Sequence, residues 1–199
     1  VTLVLASCSP RRKALLDRLE LPFEVVPNAV EERLPFASES PEQYALVLAR
    51  LKAESVARDH PGSIVLGADT VVALEGLILG KPEHEDDAVR MLSLLAGRTH
   101  LVVTAVSLRG RCRADGLERA EVQMRTAPEA ELRAYVRTGE PMDKAGAYAV
   151  QGEGGRLVST VRGCLETVIG LPLCVVSRLL EECGERVPVA PSCRHVTLD

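Results

Sequence analysis

Leu5-Ala6-Ser7-Cys8-Ser9-Pro10-Arg11-Arg12-Lys13-Ala14-Leu15-Leu16 is where a strand runs into a helix. The apolar run 2–6 reads as a buried strand. Ser9 is a good N-cap, and Pro10 stands where a first-turn proline is tolerated. The helix predicted over 9–20 turns Ala14, Leu15, Leu16 and Leu19 inward. Its first turn holds Arg11, Arg12 and Lys13, although a helix N-terminus disfavours cations by about 0.3–1 kcal/mol each. A bound anion reverses that sign, because the turn aims unpaired backbone N–H groups at it. Two guanidiniums can also fork onto phosphate oxygens. A solvated basic turn paired with nearby acids is the plain alternative.

Working outward, 22–26 reads as a second strand, 28–40 as an acidic loop, and 41–58 as a helix stopped by His60-Pro61-Gly62. A β-branched strand at 64–66 ends in Gly67-Ala68-Asp69-Thr70, and 71–79 continues as a hairpin turning at Glu75-Gly76. Helices follow at 84–95, 128–138 and 172–183, with Gly97 and Gly139 closing the first two. Strands are predicted at 99–108, around 121–126, at 158–161 and at 167–169, with 110–116 a turn. The glycine-rich 146–155 opens on a short strand. Early strand–helix alternation with a later meander predicts α/β with a mixed sheet. One domain over 1–186 and a loose tail over 187–199 are expected.

Five places could hold chemistry. The opening turn is the first. At Asp69, small neighbours admit a ligand, and a carboxylate there could bind Mg²⁺ or serve as a base; taken alone, an Asp turn capping its own backbone is the plainer account. Lys81, in Gly80-Lys81-Pro82, and Lys52 are point charges suited to phosphate, or solvated lysines. In 139–152, Gln151 has a donor and an acceptor with which to read a base edge, or the stretch is a tight glycine hairpin. Glu31-Glu32 could add a metal ligand, or be a solvated loop. His60, His84, His100 and His195 do not cluster, and His100 reads as a satisfied core histidine. Cys8 lacks a legible paired base and is not favoured as a nucleophile.

The 199 residues are 46% hydrophobic, enough for a sizeable core, and the net charge is -4. That charge argues against bulk binding of a nucleic-acid polymer, and 3% aromatics leave few stacking platforms. No apolar run of about 18 residues appears, so no membrane span is expected. The first residues are too short and uncharged for a signal peptide. The six cysteines form no C-x-x-C pair, which argues against zinc and for reduced thiols. A Cys183–Cys193 bridge is the alternative.

LASCSPRR, LGADTVV, GKP, GRTHLVVTAV, GEPMDKAGAYAVQG and VIGLPL, in this order and spacing over 3–180, resemble the Maf family of nucleotide pyrophosphatases. The resemblance implies an elongated two-lobed α/β fold with a central cleft, similar to inosine triphosphate pyrophosphatases. It implies cleavage of a nucleoside triphosphate to the monophosphate and pyrophosphate with a divalent metal, Mg²⁺ or Mn²⁺. Asp69 matches the catalytic proton acceptor; Asp69 and Glu32 as metal ligands are an expectation from their carboxylates, not from the resemblance. Lys81 joins Asp69 as catalytic. Arg11, Thr70 and Gln151 match positions tied to substrate choice, and Ser7, Arg12 and Lys52 line the phosphate cleft. The DKAG-Y…Q form is similar to the branch acting on dTTP and UTP. A homodimer is a family-level expectation, while a cytoplasmic location is expected from the reading of the cysteines as reduced thiols. A nucleotide-binding regulator of septum formation without turnover, and a pyrophosphatase for purine or 7-methyl-GTP substrates, stay open as alternatives. Gly163-Cys164-Leu165 departs from the family's Gly-Ser-Tyr, removing two hydroxyls.

Overall fold

A computed structural model describes residues 2–31, 33–36 and 38–189. In chain order the elements are β1 (Leu3–Leu5), α1 (Pro10–Asp17), β2 (Phe23–Val25), α2 (Pro41–Ala57), β3 (Ile64–Leu74), β4 (Leu77–Leu79) and α3 (Glu85–Leu95). Then follow β5 (Thr99–Gly110), β6 (Ala114–Met124), α4 (Glu129–Val136), β7 (Val158–Gly163), α5 (Leu165–Ile169) and α6 (Leu173–Glu182), with three 3₁₀ turns between α4 and β7. Among the described residues the strands form one mixed sheet, ordered β2-β1-β3-β5-β6-β7, with β4 beside β3. The expected α/β mixed sheet is therefore present.

β3 organises everything else. On one side it pairs antiparallel with β5 from Ile64 to Ala73. On the other it pairs with β1 over Ile64–Leu66 and with β4 over Val72–Leu74. Among the described residues, no strand pairs with the β3 edge between these two partners. Side chains alternate across a strand, so the even-numbered residues share one face. Leu66 and Ala68 join a core with Leu15 and Leu16 of α1 and Val176 and Leu179 of α6. Val72 and Leu74 join a second core with Leu92 of α3 and Leu132 of α4. Thr70 stands on that face between them, so two apolar cores flank one polar position. On the opposite face α2 packs Ala45, Leu48 and Ala49 over Val71, Val103 and Ala105. Ion pairs Glu42–Arg119 (2.8 Å), Arg50–Asp115 (2.9 Å) and Glu54–Arg109 (3.1 Å) pin α2 along its length.

Several sequence expectations change. Asp69 and Thr70 are in the middle of an 11-residue strand, because β5 pairs straight through them. β6 begins at Ala114, and the turn shrinks to Arg111–Arg113, since polar residues on the strand pair one for one with β5. No strand opens 146–155: Gly146 and Ala147 have φ of +70° and +59°, which ends extended backbone. Residues 167–169 are helical in α5 rather than a strand, after Gly163 turns the chain at φ +113°. Ala14 is exposed, whereas Leu15, Leu16 and Leu19 are buried. Of the expected tail, residues 190–199 lie outside the described residues, and Val187 packs on the α1–α6 core.

The expectation of reduced thiols is overturned at one pair. Cys112 of the β5–β6 turn and Cys183, just past α6, form a disulfide across 71 residues with Cα atoms 5.8 Å apart. The alternative Cys183–Cys193 pairing is excluded with it. Docking of α6 over the sheet brings the two together, which spacing alone does not reveal. Cys8 and Cys174 remain free thiols.

Closing so long a loop restricts the unfolded chain, an effect of about 2–4 kcal/mol. Cys112→Ser should lower the unfolding free energy by that amount in urea titrations without reductant. Dithiothreitol should bring the parent protein to the same midpoint. Coincident midpoints for oxidised and reduced protein would show that the bridge contributes nothing.

Candidate active site

A cavity of about 590 Å³ opens at the strandless stretch of the β3 edge. The β1–α1 turn walls one side, the centre of β3 forms the floor, and the 143–151 loop faces the turn. The turn is built as its residues dictate. Ser9 Oγ accepts the Arg12 N–H (3.4 Å), and Ser7 Oγ accepts the Ser9 N–H (3.2 Å). Asn28 Nδ2 donates to the Ala6 carbonyl (2.8 Å) where β1 ends.

The three cations of the first turn have separate fates. Lys13 points away, paired with Asp17 (2.9 Å) one helical turn on and within 5.7 Å of the Phe23 ring. Arg12 crosses the cleft, donating through Nε to the Gly170 carbonyl (2.9 Å) and through Nη2 to Thr70 Oγ1 (3.3 Å). Arg11 lines the cavity and attracts Asp143 on the facing wall. Burial pushes the Asp143 carboxyl up, but Lys144 and Arg11 outweigh it and hold it below the usual carboxylate range.

On the floor, Lys52 Nζ of α2 donates to Asp69 Oδ1 at 2.5 Å, with both residues buried. A charged pair so far from solvent persists only with close geometry. Gly67, two residues before Asp69 on the same face, supplies it. A Cβ there would stand 2.4 Å from the Ala49 carbonyl oxygen and 2.6 Å from the Ala53 nitrogen. Any side chain at 67 would push α2 off the strand and draw Lys52 away from Asp69.

The facing wall is held by Glu140. Its carboxylate accepts from the Tyr135 hydroxyl (2.9 Å) and the N–H groups of Glu153 (3.0 Å) and Gly154 (3.1 Å). Burial pushes the Glu140 carboxyl up, yet these donors keep it below its ordinary range. The loop carrying Gln151 is thereby closed around one carboxylate. Tyr148 in that wall shares a hydrogen bond with His100 Nε2 (2.8 Å). Burial pulls the His100 pKa down to about 4. Against the expectation of a satisfied histidine, its buried Nδ1 has no hydrogen-bond partner among the described residues.

Ser7, Arg11, Arg12, Lys52, Asp69, Thr70, Lys81 and Gln151 all line this one cavity. Glu32 lies outside the described residues. Asn28, Asp143, Lys144 and Gly170 were not singled out beforehand, though the last three fall inside the motifs GEPMDKAG and VIGLPL. Asn28 had no signal beyond its place after Pro27. The Gly163-Cys164-Leu165 departure is buried at Cys164, whose thiol donates to Glu166 Oε2 (3.4 Å). Among the described residues, no three His, Cys, Asp or Glu side chains converge as a metal cage. Mg²⁺ carried by phosphates needs only one or two carboxylates, and Asp69 fits that smaller demand.

A helix N-terminus and basic side chains around a buried carboxylate make this an α/β protein built to hold a phosphorylated small molecule. The chain belongs to the family of Maf-like proteins, whose family model matches residues 2–183. It is 48% identical to the dTTP/UTP pyrophosphatase of Myxococcus xanthus over 186 residues, 94% of each chain. The dTTP/UTP pyrophosphatase of Thermococcus gammatolerans is 47% identical over 181 residues, 90% of this chain and 95% of the relative. Among solved structures, the Staphylococcus aureus Ham1 protein aligns over 92% of this chain and 99% of its own. Its TM-score is 0.50 at 15% identity, a likeness of fold alone. Among the described residues no helix is long and apolar enough to cross a membrane.

Two measurements follow from this geometry. Gly67→Val should lower the unfolding free energy by about 1–3 kcal/mol through overpacking against α2 backbone, read by urea denaturation; an unchanged midpoint would mean that α2 does not rest on Gly67. The second concerns pH. Below pH 6.5 an unfolded His100 takes up a proton that the folded one refuses until about pH 4. Its stabilising share is therefore complete above pH 6.5 and lost as pH falls to 4. Relative to His100→Gln, the parent should lose about 3 kcal/mol across that window. Parallel stability curves would show that His100 does not titrate this way.

Proposed function

We propose that this chain is a nucleoside triphosphate pyrophosphatase that cleaves dTTP and UTP to the monophosphate and pyrophosphate. The observation that carries the reading is the buried Asp69–Lys52 pair on the floor of a cleft ringed by Ser7, Arg11, Arg12 and Lys81. The names of the relatives supply the substrates.

The triphosphate lies across the N-terminus of α1, where backbone N–H groups and Ser7 meet its oxygens. Arg11, Arg12 and Lys81 neutralise its charge, and Lys52 keeps Asp69 aimed. Asp69 orients a water and takes its proton as the oxygen attacks the α-phosphorus, and pyrophosphate leaves toward the cations. Phosphoryl transfer asks mostly for such positioning and charge stabilisation. Gln151 and Thr70 contact the nucleoside part. A divalent cation, Mg²⁺ or Mn²⁺, would be held by Asp69 and the phosphates, and supplies further charge neutralisation when bound.

A panel of nucleoside triphosphates, assayed for pyrophosphate with and without Mg²⁺, tests this. dTTP and UTP should be hydrolysed ahead of purine nucleotides. Asp69→Asn should lower kcat by about 10²–10⁴-fold. Wild-type turnover in that variant would remove Asp69 from the chemistry, and tight binding without any hydrolysis would favour a nucleotide sensor.

A further inference from the structure

Thr104 of β5 is fully buried and is not among the residues lining the cleft. Its hydroxyl donates to the Thr167 carbonyl at 2.7 Å. That carbonyl belongs to the last turn of the five-residue α5, where helix carbonyls have no partner within the helix. A carbonyl only accepts, and a threonine has one hydroxyl proton. The Thr104 proton is therefore spent. At the 2.9 Å contact between Thr104 Oγ1 and Thr70 Oγ1, Thr70 must be the donor. Thr70 then has lone pairs and no proton left. One accepts Arg12 Nη2 at 3.3 Å, and the other is available to the cleft.

The bonds form a one-way chain: Arg12 donates to Thr70, Thr70 to Thr104, and Thr104 to the carbonyl of Thr167. Arg12 Nε meanwhile donates to the Gly170 carbonyl, three residues on. Each donor polarises the next, so the chain is stronger than its separate links. It joins α1, β3, β5 and α5 at the position between the two apolar cores.

We propose that Thr104 is a positioning residue for nucleotide binding: it takes the Thr70 proton, so that Thr70 faces the cleft as an acceptor only and holds the Arg12 guanidinium in place. Thr70 then accepts an N–H or O–H from the nucleoside part and cannot donate to a phosphate oxygen, which falls to Arg12. The inference rests on the pyrophosphatase reading for its substrate, but its hydrogen-bond logic does not.

The test compares wild type, Thr104→Val, Thr104→Ser, Thr70→Val and the Thr70→Val/Thr104→Val double variant, with thermal midpoints measured for each. Thr104→Val should raise KM for UTP and dTTP about five- to tenfold, the size of one lost hydrogen bond, with kcat within about threefold. Thr104→Ser, which keeps the hydroxyl, should stay within about twofold of wild type. In the Thr70→Val background, Thr104→Val should add nothing, because it acts through Thr70. An unchanged KM in folded Thr104→Val overturns the proposal. So does the same KM penalty in both backgrounds, which would mark Thr104 as packing alone. If Thr104→Val fails to fold, Thr104→Cys replaces it, sulfur being a weak donor and acceptor. If wild type hydrolyses neither nucleotide, the pyrophosphatase reading fails on its own. The same five proteins are then compared by UTP dissociation constants from calorimetry, with the same pattern expected and the same two patterns overturning it.

Discussion

The contact on which the site depends is the approach of the α2 backbone to β3 at Gly67. With a Cβ there only 2.4 Å from a carbonyl oxygen, helix and strand sit closer than any other residue permits. That distance sets Lys52 on Asp69 and lets the pair persist while buried. Ion pairs at Glu42, Arg50 and Glu54 hold the helix in register along the rest of its length. A glycine with a packing role and a lysine paired with a buried carboxylate are thus parts of one arrangement.

A second constraint is the change of partner along β3. β1 pairs with its first three residues and β4 with its last three, leaving the middle edge without a strand. The same middle residues separate two apolar cores, so the opening of the cavity and the division between the cores have one cause. Asp69 and Thr70 are adjacent there and, by strand alternation, face opposite sides of the sheet. The carboxylate falls under α2 with Lys52, and the hydroxyl falls between the two apolar cores with Arg12.

Local chemistry was legible where it follows from short-range rules. Ser9 and Pro10 start α1, and α2 opens at Pro41 as expected, where the structure adds a capping box of Ser40 with Gln43. The odd placement of Arg11 and Arg12 pointed to an anion, and both do line the cleft, while Lys13 is absorbed by Asp17. Where local rules misled, a distant partner decided. GADT has the composition of a turn, yet β5 pairs straight through it. Thr167 has strand propensity, yet Gly163 reverses the chain and a short helix follows. The Cys112–Cys183 bridge needs α6 laid against the sheet before its partners meet.

By itself the sequence determined the α/β class, the starts of α1, α2, α3, α4 and α6, and the family to which the chain belongs. Periodicity and capping are encoded within a few neighbouring residues, and the order of the six motifs is read directly along the chain. Only the tertiary structure decided that Lys52 holds Asp69, that Arg12 spans from α1 to Thr70 and Gly170, and that Glu140 ties down the loop bearing Gln151. Each of those is a contact between residues far apart in the chain. Their geometry is set by how closely backbones pack and by which buried donors still need an acceptor, and neither is written in local sequence.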